Sequence, residues 1–182
     1  TKNRPEVKVI SDPGGKRVGS LGATVNLLKR LKLSGKVLVC HSGGDARRTP
    51  GYAAMGKAFV PMKDGRSMFE HIVETMSSLP LPEKGGVLIT SGDVLLDFDY
   101  AATDFSRPGV TGVAYPDGPF HAQRHGVYKT ASNASSKTGL MDVIGFLQKP
   151  KVEKGRHLID TGIMFIDWAT AEKMKALPIA GD

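Results

Sequence analysis

The chain has 182 residues, of which 40% are hydrophobic and 24% are charged, a composition typical of a soluble globular protein with one domain. No apolar run approaches the roughly 18 residues of a membrane helix, so we expect no membrane partner. The formal net charge of +7 favours an anionic ligand, but the basic residues are not clustered and aromatic residues make up only 7%, which disfavours nucleic acid. Cys40 is the single cysteine and no signal peptide opens the sequence, so we expect a cytoplasmic protein.

The first predicted elements are a strand, a glycine loop and a helix. Residues 7–10 (VKVI) form a short apolar run that predicts a buried strand. Arg17 follows a glycine turn, and Gly19 and Gly22 then open a helix with apolar residues every three to four positions. A glycine loop with cations at a helix N-terminus can bind an anion, although an ordinary turn between a strand and a helix is the alternative.

A second glycine loop follows a strand predicted at residues 36–40. Gly43 and Gly44 come soon after this strand, an arginine pair ends at Arg48, and Lys57 lies further on. Glycine backbone N–H groups can approach an oxyanion closely, arginine offers a planar fork for phosphate, and lysine offers a compact charge. The loop therefore predicts a polyphosphate site, with a solvated surface turn as the alternative.

Residues 51–58 (GYAAMGKA) also nearly match the P-loop pattern G-x-x-x-x-G-K-[ST]. Ala58 lacks the hydroxyl group that would hold Mg²⁺, no strand pattern comes directly before the segment, and Pro61 makes a poor start for a helix. We therefore expect Lys57 to lie in an extended loop rather than at the beginning of a helix.

A capping-box pattern and a buried strand follow. Residues 67–70 (SMFE) predict the start of a helix, and residues 86–91 (GVLITS) form a continuous apolar run, as in a strand buried on both faces. Asp93 comes just after this strand, at the edge where α/β sheets bind ligands. We expect its carboxylate to be unpaired until a cation completes it, so that Asp93→Asn leaves the stability of the ligand-free protein unchanged or slightly higher.

Strands dominate the second half of the chain, whereas strands and helices alternate in the first half. The sequence therefore predicts one α/β domain over residues 1–182, part of a longer chain, with a mixed, mostly parallel sheet flanked by helices. The predicted later elements are strands at residues 110–115, 125–130, 141–147 and 162–166 and a helix at residues 169–177.

The second glycine loop resembles the signature of nucleotide-sugar pyrophosphorylases, in which a glycine-rich turn precedes an arginine and a spaced lysine. Gly43, Gly44, Arg48 and Lys57 fill these places, and Arg47 does not match the arginine position. The segment SGDVLL resembles the Gly-Asp metal motif of the same superfamily. Three later segments resemble its sugar-side motifs, namely residues 125–128 (HGVY), 146–150 (FLQKP) and 160–163 (DTGI).

Within that superfamily, DPGGKRVGSLGAT followed by HSGGDARR is similar to the GDP-fucose pyrophosphorylase (fucose-1-phosphate guanylyltransferase) family, which includes bifunctional fucokinase/pyrophosphorylase enzymes. Leu21 stands where this family usually has a glycine, and Gln148 stands where the wider superfamily has a glutamate. Members of the family are also much longer than this chain.

The resemblance implies a Rossmann-like, GT-A-like nucleotidyltransferase fold. It also implies a reaction in which GTP and a sugar 1-phosphate, above all fucose 1-phosphate, give a GDP-sugar and pyrophosphate with Mg²⁺ as cofactor. The choice of guanine and fucose depends on the resemblance alone. The implied roles are nucleotide binding by Arg17, Gly19, Gly22, Gly43 and Gly44, neutralisation of the leaving pyrophosphate by Arg48 and Lys57, Mg²⁺ binding by Asp93, and sugar-phosphate binding by Lys149, Asp160 and Gly162.

Two alternatives to this function stay open. The domain could serve another pair of nucleoside triphosphate and sugar 1-phosphate, or it could be a non-catalytic nucleotide-binding or regulatory domain. The presence of Lys57, Asp93 and Lys149 together favours an enzyme, because a decayed site would have lost some of them.

Overall fold

The structure is a computed structural model that describes residues 6–42, 51, 56–131 and 139–179. In these ranges the chain forms a six-stranded mixed sheet with α-helices on both of its faces. The strands are β1 Lys36–His41, β2 Gly86–Ser91, β3 Val110–Asp117, β4 Gly126–Thr130, β5 Val143–Gln148 and β6 His157–Ile166, and the helices are α1 Gly19–Arg30, α2 Met68–Ser77, α3 Pro119–Ala122 and α4 Trp168–Met174.

Strand β6 organises the sheet. The strand order is β1-β2-β6-β4-β5, and β3 pairs with β6 from residue 110 to residue 117. Since β3 occupies one edge of β6, β2 and β4 share the other edge, with β2 beside the C-terminal half and β4 beside the N-terminal half.

The α/β class is confirmed, but the prediction of a mostly parallel sheet is wrong. Among the described strands, β1 and β2 form the one parallel pair, and the other pairs are antiparallel. Parallel neighbours need a crossover connection, and α2 supplies it between β1 and β2. Among the described residues after β2, α3 is the only α-helix between strands. It has four residues, and the strands there pair antiparallel.

Strand β2 is buried on both faces, as predicted. Leu88 points to a cluster with Ile72 and Met76 of α2, whereas Val87 and Ile89 point to the opposite cluster, which includes α1 and α4 residues. Each fully buried side chain of this kind contributes about 1.5–3 kcal/mol to the stability of the fold. The capping box of α2 is also confirmed, because Ser67 accepts from the Glu70 backbone N–H while Glu70 accepts from that of Ser67.

Two predicted elements differ from the observed ones. Residues 7–10 do not form a strand, because no described strand pairs with them, and Val7 and Val9 are 67% and 86% exposed. Strand β6 begins at His157 rather than at residue 162, since Asp160 and Gly162 interrupt the apolar pattern inside the strand. Within the described residues, no helix is both long and apolar enough to cross a membrane.

Candidate active site

A cleft of about 360 Å³ opens where the C-terminal ends of β1 and β2 meet the N-terminus of α1. Because β1 and β2 are parallel neighbours, the residues that follow them leave the sheet side by side, which is the usual ligand position in α/β sheets. The cleft is lined by Arg17, Gly19 and Ser20 beside α1, by His41 and Ser91 at the strand ends, and by Lys57 and Asp93.

The N-terminus of α1 gives the cleft an anion-binding end. Val18 precedes the helix and offers no side-chain cap to the first-turn N–H groups. Gly19, at a φ of 73°, begins the helix at the wall of the cleft, next to Arg17. Exposed N–H groups at a helix N-terminus, combined with a guanidinium group, favour a bound phosphate.

Lys57 and Asp93 form an ion pair across the cleft. Lys57 Nζ donates to Asp93 Oδ2 at 3.1 Å, and Ser91 Oγ donates to Asp93 Oδ1. The hydroxyl group of Ser91, and then the charge of Lys57, lower the pKa of Asp93 below its ordinary value. The expectation of an unpaired carboxylate is therefore wrong, because a residue 36 positions away in the sequence supplies the cation.

Lys57 is placed by a short turn. Gly56 has a φ of 82°, in the left-handed region, and lies against Ser42, so a Cβ atom at residue 56 would be 3.4 Å from the Ser42 hydroxyl. Residues Lys57–Phe59 then form a 3₁₀ helix of three residues. The expectation of an extended loop at Lys57 is wrong, but this turn ends at Val60 and is not the long helix that a P-loop requires.

His41 braces the inner wall of the cleft. Thr24 Oγ1 donates its single proton to Ser20 O at 2.9 Å, so His41 Nε2 is the donor in the 2.9 Å hydrogen bond to Thr24. Burial lowers the pKa of His41, partly offset by the negative charge of Asp12. The imidazole is therefore held neutral and in one tautomer.

Two of the predicted sugar-side residues, Asp160 and Gly162, lie next to the cleft along β6. A Cβ atom at Gly162, which has a φ of 77°, would be 3.7 Å from the Ser91 Cβ. Two residues earlier, Asp160 Oδ1 accepts hydrogen bonds from the Tyr128 hydroxyl and the Gly162 backbone N–H, both at 3.0 Å. Burial and the neighbouring Asp160 raise the pKa of Tyr128, which therefore stays protonated as a donor.

The structure thus brings Arg17, Gly19, Lys57 and Asp93 to one cleft, with Asp160 and Gly162 beside it. Gly22 is buried instead: a Cβ there would be 2.9 Å from the Val18 Cβ, so close packing explains this glycine. Lys149 is exposed at the end of β5 and has a φ of 48°. The remaining predicted residues, Gly43, Gly44, Arg47 and Arg48, lie outside the described residues.

Sequence reasoning missed two residues of this site. Ser91, two positions before Asp93, was assigned only to a strand, although a hydroxyl group at that spacing can hydrogen bond to the carboxylate. Tyr128 was part of a motif but received no role. Its signal in the sequence is a polar aromatic residue two positions after Gly126 in a short strand.

The described part of the cleft offers a metal ion two carboxylates, Asp12 and Asp93, rather than a cage of ligands. They contain no group of three or more His, Cys, Asp or Glu side chains that could hold a metal. Mg²⁺ commonly binds one or two carboxylates and completes its shell with substrate phosphates and water. Asp93, at the edge of a phosphate-sized cleft, fits that donor set and does not fit a structural metal site.

Comparison with known proteins assigns the family. Residues 31–179 match the fucose pyrophosphorylase domain. The chain belongs to this family. It is 31% identical over 163 residues to the fucose-1-phosphate guanylyltransferase of Mus musculus, covering 80% of this chain and 27% of the mouse protein. It is 30% identical over 205 residues to the bifunctional fucokinase/GDP-fucose pyrophosphorylase of Arabidopsis thaliana, covering 85% of this chain and 19% of that protein.

A bacterial relative is similar to the chain at a comparable level of identity and over a comparable share of the chain. The L-fucokinase/L-fucose-1-P guanylyltransferase of Bacteroides fragilis is 28% identical over 190 residues, covering 91% of this chain and 19% of its own length. This fucose pyrophosphorylase domain therefore spans about a quarter or less of the relatives named here. The matched residues include Lys57, Asp93 and Asp160.

Proposed function

We propose that this fucose pyrophosphorylase domain is a guanylyltransferase that joins GTP and fucose 1-phosphate into GDP-fucose and pyrophosphate. The observation that carries the proposal is the cleft itself, where Lys57, Asp93, Arg17 and the N-terminus of α1 converge beside two parallel strand ends. Family membership supports this activity. Arg17 and Lys57 both line the cleft, where they would contact a triphosphate.

In the proposed reaction an oxygen of the sugar phosphate attacks the α-phosphorus of GTP in line. The bond from the α-phosphorus to the oxygen that bridges to the β-phosphorus breaks, and pyrophosphate leaves with that electron pair. No protein nucleophile is needed, so the domain contributes positioning and charge stabilisation. The N–H groups of α1 and Arg17 would contact the triphosphate, and Gly43, Gly44 and Arg48 stay predicted contacts in the same role.

Lys57 would change partner during this reaction. In the structure its ammonium group lies 3.1 Å from the Asp93 carboxylate. On binding of the triphosphate, Lys57 would move to the phosphates and neutralise charge on the leaving pyrophosphate. The freed Asp93 would then hold Mg²⁺, which offsets phosphate charge when it is bound. Lys149, Asp160 and Gly162 would bind the sugar phosphate.

A nucleotide panel tests the base, and a turnover assay tests the reaction. With Mg²⁺ present, GTP should raise the melting temperature more than ATP, CTP or UTP, because a ligand stabilises the state that binds it. Equal shifts with all four nucleotides would contradict the choice of guanine. Release of pyrophosphate from GTP only when fucose 1-phosphate is added would support the transfer, and release without any sugar phosphate would oppose it.

A further inference from the structure

The sheet beside the cleft carries an aromatic surface that the proposed reaction has not yet used. Tyr128 and Phe146 are directly opposite each other on β4 and β5, and their rings are in edge contact with centroids 5.1 Å apart. Phe146 is 47% exposed, so part of its ring is open to solvent. We call this pair, together with Asp160, the aromatic platform.

Glycines make room for the platform. The Phe146 ring lies over Gly126, where a Cβ would be only 2.2 Å from its Cζ atom, and the Tyr128 hydroxyl reaches Gly112 on β3, where a Cβ would be 2.4 Å away. The Tyr128 side chain therefore extends across β6 toward β3. Side chains at these glycines would displace both rings, so the two glycines and two aromatic residues form one arrangement.

The platform also has polar groups for a ligand. Asp160 Oδ1 accepts hydrogen bonds from the Tyr128 hydroxyl group and from the Gly162 backbone N–H. No described residue donates a hydrogen bond to Asp160 Oδ2. Oδ2 is thus an acceptor, and the Tyr128 oxygen keeps lone pairs to accept a further bond. An apolar ring face next to such groups is typical of sites for small polar ligands with apolar sides.

The platform is continuous with the phosphate cleft. The Ser91 hydroxyl group donates a hydrogen bond to Asp93, and the Ser91 Cβ lies against Gly162. Gly162 is two residues from Asp160 on β6. Two residues of a strand span about 7 Å. A ligand with its phosphate beside Asp93 would therefore place the group attached to that phosphate over Asp160 and the aromatic rings.

We propose that Tyr128 and Phe146 determine which sugar this domain accepts, with Phe146 against the apolar side of a 6-deoxyhexose and the Tyr128–Asp160 pair bound to its ring hydroxyl groups. This inference depends on the proposed function, because the sugar is the one carried by the sugar 1-phosphate. Phe146 has no polar atom to satisfy a hydroxyl group at C6. An apolar contact rejects an added hydroxyl by at most about 10²-fold, so that is the upper limit of the expected preference.

The test compares binding of GDP, GDP-L-fucose and GDP-L-galactose by calorimetry, since the two sugars differ only by a hydroxyl group at C6. The natural domain should bind GDP-L-fucose more tightly than GDP and GDP-L-galactose. Phe146→Ala should reduce the preference for fucose over galactose to a few-fold. Tyr128→Phe should weaken both nucleotide sugars by about 3- to 10-fold, the usual effect of one lost hydrogen bond, and leave GDP unchanged.

Matched controls exist away from the platform. Phe120→Ala removes another exposed phenylalanine, 62% exposed on α3, and Tyr115→Phe removes another partly exposed tyrosine hydroxyl, on β3. Neither should change any of the three affinities. If Phe146→Ala does not fold, Phe146→Leu replaces it, with the same direction expected.

The outcomes separate the two proposals. If GDP itself does not bind, the proposed nucleotide site fails and this inference fails with it. If GDP binds but fucose adds no affinity, or Phe146→Ala and Tyr128→Phe behave like their controls, the inference is wrong and the nucleotide site stands.

Discussion

The ion pair between Lys57 and Asp93 leads to a prediction about the ligand-free protein. At 3.1 Å the attraction between the charges is about 5 kcal/mol for an effective dielectric constant of 20 and about 1.3 kcal/mol in water. The side chains are 35% and 46% exposed, so solvent screening and the cost of ordering both chains offset most of this attraction. We expect the pair to contribute about 0.5–1 kcal/mol to the free energy of unfolding.

A double-mutant cycle measures that contribution. Lys57→Met, Asp93→Asn and the double variant would be unfolded in urea and followed by the fluorescence of Trp168, the single tryptophan. Asp93→Asn should destabilise the protein by about 0.5–1 kcal/mol, which corresponds to roughly 1–4 °C in Tm. The coupling energy should shrink in 1 M salt, because salt screens partly exposed charges.

The matched control is the exposed pair Arg107–Asp142, with 2.9 Å between its charged atoms. GTP and Mg²⁺ should stabilise Asp142→Asn as they stabilise the natural protein, and should stabilise Asp93→Asn much less. A coupling energy of zero between Lys57 and Asp93, or a rise in stability on Asp93→Asn, would refute the reasoning and support an unpaired carboxylate.

Three further predictions concern turnover, pH and backbone packing. Asp93→Asn should lower Mg²⁺-dependent turnover by at least about 10²-fold in a pyrophosphate-release assay, and unchanged turnover would remove the metal role. Burial lowers the folded-state pKa of His41, so below about pH 6.5 the unfolded chain binds more protons than the folded protein and stability should fall. The urea midpoint should therefore drop from pH 7 to pH 5 by more in the natural protein than in His41→Gln. An equal drop in the two proteins would contradict this. Gly85→Ala should destabilise the protein by about 3 kcal/mol or more in urea unfolding, because its Cβ would lie against Gly35 O. The control is Gly139→Ala, which has a similar φ (70° against 73° at Gly85) but open space around the Cβ, and it should cost about 1 kcal/mol. Equal losses would show that the contact at Gly85 relaxes.

Local signals in the sequence were sufficient for several elements. The apolar run of β2 and the capping box of α2 are each determined by residues close together in the sequence. Both were predicted at the residues where the structure has them. Periodicity identifies strands but not their partners, so it could not show that β2 pairs antiparallel with β6. Residues 7–10 have the composition of a strand, but a strand also needs an edge to pair with.

The same distinction applies to the site. Lys57 and Asp93 were predicted as separate phosphate and metal residues, because each belongs to its own motif. Their ion pair depends on how β1 and β2 bring two distant loops together, and the contact between Tyr128 and Asp160 depends on how β4 meets β6. Such contacts are products of strand pairing, which neither motif encodes.

The division of one edge of β6 between β2 and β4 has a mechanical consequence. A single strand carries Gly162 beside Ser91 and Asp160 beside Tyr128, so the rise of that strand fixes the spacing between the two ends of the site. An inserted residue between Asp160 and Gly162 would turn Asp160 to the opposite face of the sheet, because side chains alternate along a strand. Unlike a site built on loops, this site tolerates substitutions along β6 more readily than insertions or deletions, because these would change the distance between its two ends.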